Sequence, residues 1–299
     1  MPGSVAVPEK TIEHWSSQYI TFRYRTKAML WWPASGEDID LRDLPARPGK
    51  AVQFELKTAT TAGPHTYDVL VDLGQLWDYV HSPSGRQPFY AFPGPQPGWD
   101  GSLTKVATAG GRVVPELGFS RSRRLWFANW MIVLTAAQVA TVLAPELKGH
   151  GSRARGQRER LVRFHRGIPA WGPGGGVPNP GALSWRKFWL ELERCGRAGW
   201  HQLIHMPVWL VEADRQYSSS QLIGLLREVA NTPEFNRASA RQFVTLEPDE
   251  EGSYQVIRDA PGILSEPRRD GRSGEDRNDE TSDHRMAVFL DARSLQSRP

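Results

Sequence analysis

The residues able to do chemistry gather in two short stretches, Ser35-Gly36-Glu37-Asp38-Ile39-Asp40 and Val52-Gln53-Phe54-Glu55-Leu56-Lys57-Thr58. Asp38 follows a Ser-Gly turn, and Glu55 sits in a run that alternates apolar and polar residues with the period of a strand. Two carboxylates brought by neighbouring strands to one sheet edge form an all-oxygen site, suited to a hard divalent cation such as Mg²⁺ or Mn²⁺. Glu55 and Lys57 are two residues apart, so on a strand both side chains emerge from one face. An ammonium there positions, or helps to deprotonate, a water while the metal polarises a phosphate oxygen. Each residue alone has a plainer reading. A Glu-Lys pair on a strand face is usually a solvated ion pair worth little, and an Asp after Gly is usually a turn residue.

Several elements must position these groups. Pro8 opens a helix with Ile12, Trp15, Tyr19 and Phe22 on one broad apolar face. Strands are expected over Ala28–Pro33, around Asp38–Leu44 and over Ala51–Thr60. Tyr67–His81 reads as a helix and Pro88–Pro93 as a short buried strand, followed by loops over 94–124. The uncharged stretch 125–145 reads as a buried strand to residue 134, then a short helix opened by a Thr135/Gln138 capping box, in preference to a membrane span. Residues 149–183 read as a long loop, basic and then Gly/Pro-rich. Trp185, Phe188, Trp189, Leu192 and Cys195 mark an amphipathic helix; a strand over 206–213 and a helix over Ser220–Ala230 follow. His201 and His205, four apart on an expected helix, lack the Glu of a zinc motif, and Trp31, Trp32, Trp185 and Trp189 read as core. Composition turns polar after Leu246 and resembles disorder over 265–285, while His284–Leu295 regains an apolar run whose place stays open.

The order strand, Ser-Gly-Asp turn, E-x-K strand resembles the PD-(D/E)XK nuclease superfamily, closest to its Holliday-junction-resolvase-like branch, over about residues 9–93. That family places a further acid on its first helix. Glu13 has the suitable separation from Asp38, with Glu9 as the fallback. Members related to RecB-type nucleases carry Q-x3-Y on the helix after E-x-K, and Gln75-Leu76-Trp77-Asp78-Tyr79 matches it, with Gln and Tyr four apart on one face. The strict Pro-Asp dipeptide is absent: its position reads Glu37-Asp38, and Asp40 is a rival ligand. The resemblance implies a restriction-endonuclease-like fold, a mixed β-sheet flanked by helices. It implies a nuclease core over 1–98; outside the resemblance, composition and patterning mark a large α/β elaboration with a basic loop over 99–246, expected to pack on the core, and a polar, largely flexible tail over 247–299. It implies Mg²⁺-dependent hydrolysis of DNA, with RNA open beside it, in defence and restriction or in recombination and repair. Asp38, Glu55 and Glu13 would hold the metal, Lys57 would activate water, and Gln75 and Tyr79 would order the site. The alternative is a non-catalytic nucleic-acid-binding or interaction subunit of a larger assembly. A homodimer, or a partner subunit in such an assembly, fits cleavage of both strands.

Composition narrows the field further. One Cys in 299 residues excludes a disulfide framework and Cys-rich metal sites, so a catalytic metal would be held by oxygen. The N-terminus does not read as a signal peptide, which makes the cytoplasm the expected compartment. The net charge of +4 hides an asymmetry. Residues 247–285 hold twelve Asp/Glu against six Arg, a net of −6, so the rest of the chain carries +10. Between Lys148 and Arg166 seven basic residues face a single acid, Glu159. Lys148, Arg153, Arg155, Arg158, Arg160, Arg163 and Arg166, with Arg121, Arg123 and Arg124, are the expected phosphate contacts.

Overall fold

A computed structural model of the chain describes residues 9–32, 47–64, 66–81, 87–94, 131–151, 156–165, 168–194, 200, 202–232, 243–249, 251–257 and 285–295. Helix α1 (Glu9–Tyr24) forms where expected, but its buried line runs through Ile12, Ser16, Ile20 and Tyr24. These positions are four apart and form one stripe. Phe22 lies off that stripe and is exposed. Strand β1 (Ala28–Trp31) follows after a short 3-10 turn.

Strand β2 (Gly49–Leu56) is the centre of a nine-stranded mixed sheet. One of its edges pairs along its length with β13 (Arg285–Asp291), antiparallel, from Gly49 opposite Asp291 to Glu55 opposite Arg285. Its other edge is divided. Gly49–Ala51 pair with β10 (Leu203–Pro207), whereas Phe54–Leu56 run parallel to β5 (Phe89–Pro93). The sheet therefore forks at β2. One prong continues from β5 to β6 (Met131–Thr135) and β9 (Leu183–Ser184), the other from β10 to β11 (Phe243–Pro248) and β12 (Tyr254–Ile257). Strand β1 lies outside β13. A second, antiparallel sheet holds β3 (Ala59–Gly63), β4 (Thr66–Asp72), β7 (Arg158–His165) and β8 (Ile168–Trp171). The helices are α2 (Leu73–Val80), α3 (Ala136–Val142), α4 (Ala144–His150), α5 (Trp185–Arg194) and α6 (Ser219–Ala230). The protein is α/β, a mixed sheet flanked by helices, as the sequence predicts.

The core is aromatic. Phe54 meets the rings of Phe89, Trp185, Phe188 and Trp189 at centroid distances of 5.0–5.8 Å. Helix α5 buries its expected face, Trp185, Phe188, Trp189 and Leu192, at about 1.5–3 kcal/mol per large side chain. Helix α1 packs on the same side, with Tyr24 edge-on to Trp189 at 5.6 Å. A second cluster lies between α6 and β10–β12, built on Ile204, Leu222, Leu226, Leu246 and Tyr254. The capping box of α3 is present in both directions. Gln138 N–H donates to Thr135 Oγ1 at 3.1 Å, and Thr135 N–H to Gln138 Oε1 at 2.8 Å.

Several expected elements differ. The strand over Ala51–Thr60 is two, broken at Lys57-Thr58. The helix over Tyr67–His81 is strand β4 followed by α2: Tyr67, Val69 and Val71 are buried at a period of two, between β3 and β7. The loop over 149–183 contains β7 and β8. The expected tail over 247–299 supplies the end of β11, β12 and the central strand β13, so segments from all three expected stretches share one sheet. His205 is buried on β10 against Phe289 rather than helical. Trp185 and Trp189 are core, but Trp31 and Trp32 are exposed. The expected strand around Asp38–Leu44, the loops over 95–124, His201 and Cys195 lie outside the described residues. Among the described residues no helix is long and apolar enough to cross a membrane.

Candidate active site

Glu55 is fully buried, although the alternation along β2 assigns it to the polar face. The reason is tertiary. β2 has strands along both edges, and α2 reaches the face from which Glu55 projects. The ion pair with Lys57 is therefore not a solvated one. Lys57 Nζ lies 2.6 Å from Glu55 Oε1. The Tyr79 hydroxyl donates to Glu55 Oε2 at 2.9 Å. Gln75 bridges the two charges at longer range: its Nε2 donates to Glu55 Oε2, and its Oε1 accepts from Lys57 Nζ, each at 3.4 Å. The structure thus brings Glu55, Lys57, Gln75 and Tyr79 together.

Local structure explains the convergence. Lys57 N–H donates to Ala91 O at 2.9 Å, which prolongs the β2–β5 ladder by one residue and pins the lysine beside the carboxylate. Asp72 ends β4 and caps α2, its Oδ1 accepting from Gln75 N–H at 2.9 Å. Gln75 and Tyr79, one turn apart, then share the helix face toward Glu55. Burial first, and the Glu55 charge second, push the Tyr79 phenol well above its ordinary value, while Arg285 acts in the opposite direction. The phenol is therefore a protonated donor at neutral pH.

Arg285 is the member that local sequence reasoning missed. It stands opposite Glu55 on β13, with Nε 3.7 Å from Glu55 Oε2 and its guanidinium 5.6 Å from the centre of the Tyr79 ring. The apolar run after it marks a strand, but no local spacing rule joins residue 285 to residue 55.

The remaining expected residues divide. Glu13 is half-buried on α1, which packs on the Phe54 side of β2, opposite to Glu55, and it is not among the partners of Glu55. Asp38 and Asp40 lie outside the described residues, as do Arg121, Arg123, Arg124, Arg153, Arg155 and Arg166. Among the described residues no group of three or more His, Cys, Asp or Glu could hold a metal ion. Lys148 is exposed on α4. Strand β7 brings Arg158 to the start of the helix that carries Gln75: Arg158 is opposite Asp72, and Leu73 N–H donates to Gln157 O at 2.9 Å, while Arg160 and Arg163 lie further along β4, opposite Leu70 and Asp68. Arg163 is already engaged in a two-pronged pair with Asp68, both contacts at 2.7 Å. No family model, curated protein or solved structure matches the chain.

Proposed function

We propose that this chain is a divalent-metal-dependent nuclease that hydrolyses phosphodiester bonds in DNA, of the PD-(D/E)XK kind. The observation that supports it is the gathering of Lys57, Gln75 and Tyr79 on one fully buried carboxylate. Burying an ion costs several kcal/mol even after relaxation, so such a cluster is a poor way to stabilise a core and a good way to hold a reactive group.

The donors suit Mg²⁺ or Mn²⁺ in kind. Glu55 Oε2 is taken up by Tyr79 and Gln75, whereas among the described residues Oε1 faces the Lys57 ammonium alone. Carboxylate oxygen is the ligand such hard ions prefer. Glu55 and Asp38 would hold the ion, which when bound polarises a phosphate oxygen and stabilises the charge that develops there. The chain's own groups do the rest. Tyr79 and Gln75 fix the rotation of the carboxylate. An ammonium has three N–H donors; two face Glu55 Oε1 and Gln75 Oε1, and the third is left to orient the attacking water or a phosphate oxygen. Arg158, Arg160 and Lys148 would grip the DNA backbone without reading sequence.

The test is a cleavage assay with Mg²⁺ or Mn²⁺ on supercoiled, single-stranded and branched DNA, alongside Glu55→Ala and Lys57→Ala. Cleavage lost in both variants supports the reading. Cleavage that survives both removes the site assignment, and DNA binding without any cleavage points instead to a non-catalytic subunit.

A further inference from the structure

We infer that Arg285 is a positioning residue of this site, so that the strand from the far end of the chain completes it; this rests on the nuclease reading above. Glu55 makes its contacts from three directions. Lys57 follows on the same strand and takes Oε1. Gln75 and Tyr79 come from α2 and take Oε2. Arg285 comes from the neighbouring strand, in register with Glu55, and stands by Oε2 as a second cation.

Two features separate Arg285 from an ordinary surface charge. Its side chain is 14% exposed and the carboxylate it faces is 0% exposed, so little water screens the interaction. Its guanidinium also lies over the Tyr79 ring, within the range of a cation–π contact. One side chain thereby touches both ends of the Tyr79–Glu55 hydrogen bond: it attracts the acceptor oxygen and holds the ring that carries the donor. A planar guanidinium can stack on the ring while it faces the carboxylate, where a compact ammonium on a flexible stem has no flat face to stack and holds the ring less firmly. Arg285 acts through Glu55 and Tyr79 and leaves Lys57 to face water and phosphate. Partners that orient a ligating carboxylate typically contribute roughly 10–100-fold to affinity or activity.

The experiment compares wild type with Arg285→Met and Arg285→Lys by two readouts. One is the Tyr79 hydroxyl proton in the NMR spectrum of the metal-free protein, slowed in exchange by its bond to Glu55 and assigned by its loss in Tyr79→Phe. The other is cleavage kinetics with Mg²⁺. In Arg285→Met the hydroxyl signal should merge with water and kcat should fall roughly 10–100-fold with KM within about twofold. Arg285→Lys keeps the charge without the flat face and should fall between, its kcat several-fold below wild type. If Arg285→Met does not fold, Arg285→Lys decides alone: wild-type kcat and an unchanged hydroxyl signal overturn the inference. It is equally overturned if Arg285→Met loses thermal stability while keeping both the signal and kcat, or if the loss appears in KM, which would make Arg285 a substrate contact. Should wild type cleave no DNA, the nuclease reading falls, and the NMR comparison still decides whether Arg285 holds the Tyr79–Glu55 pair.

Discussion

Replacing Lys57 by Met tests whether the carboxylate is as sequestered as it looks. The substitution keeps the length of the stem and removes the ammonium 2.6 Å from Glu55 Oε1. At an effective dielectric constant near 20, a pair at that distance attracts by about 6 kcal/mol, and Arg285 at 3.7 Å from Oε2 by about 4 kcal/mol. Desolvation offsets much of both. Removing one partner from a buried pair costs about 3–5 kcal/mol, because the other charge is left without compensation. Arg285 remains, so the expected loss sits near the lower end, about 3 kcal/mol. Adding Glu55→Gln to Lys57→Met removes the stranded carboxylate but leaves the Arg285 guanidinium facing a neutral amide, so it should recover only part of the loss, a non-additivity expected of residues in contact. Urea midpoints followed by circular dichroism at pH 8, with unchanged slopes, read these differences. A loss under about 1 kcal/mol in Lys57→Met is the value of a solvated surface pair, and it would refute the buried-pair reasoning.

Stability should also fall in alkali. Tyr24 and Tyr79 are held well above, and Tyr19 above, the ordinary phenol value of 10.0, chiefly by burial. A raised folded-state value means the contribution is complete below pH 10 and is lost as pH climbs toward that value, at up to about 1.4 kcal/mol per pH unit for each tyrosine. Urea midpoints that stay level between pH 10 and 11 would contradict this. If DNA lies along β7, Arg158→Ala with Arg160→Ala should weaken binding evenly across sequences and flatten its logarithmic salt dependence by roughly 2 on duplex. Arg163→Ala, which breaks the pair with Asp68, should lower the urea midpoint more than the salt slope; the reverse ranking would relocate the contact. Gly49→Ala should cost about 3 kcal/mol or more, since a Cβ there would run into the Leu290 carbonyl and the Phe289 ring. A wild-type urea midpoint in that variant would mean the β2–β13 contact is looser than described.

What could be read from sequence was what depends on local spacing. The two-residue step from Glu55 to Lys57 and the four-residue step from Gln75 to Tyr79 each fix a shared face, and both pairs meet. The apolar stripe of α5 and the Thr135/Gln138 box are likewise local. Harder cases had two local solutions. Tyr67–Asp72 fits a helical stripe and a period of two, and pairing with β3 and β7 selects the strand. Arg158–His165 looks like a loop because of its charges, yet Leu161, Val162 and Phe164 are buried. The burial of Glu55 and the arrival of Arg285 depend on which strands flank β2, and no window of sequence contains that information.

The placement of β13 bears on biosynthesis. Between Glu55 and Arg285, opposite one another in the sheet, lie nearly four-fifths of the chain. At about 5–20 residues per second, the strand bearing Glu55 and Lys57 is made roughly 10–50 s before its partner. Throughout that interval β2 lacks the strand on one whole edge, and pairing across so long a stretch of chain is slow to form. A nascent or prematurely ended polypeptide therefore carries Glu55, Lys57, Gln75 and Tyr79 without the frame that gathers them. For a protein proposed to cut DNA, this arrangement withholds the assembled centre until the ribosome has delivered β13.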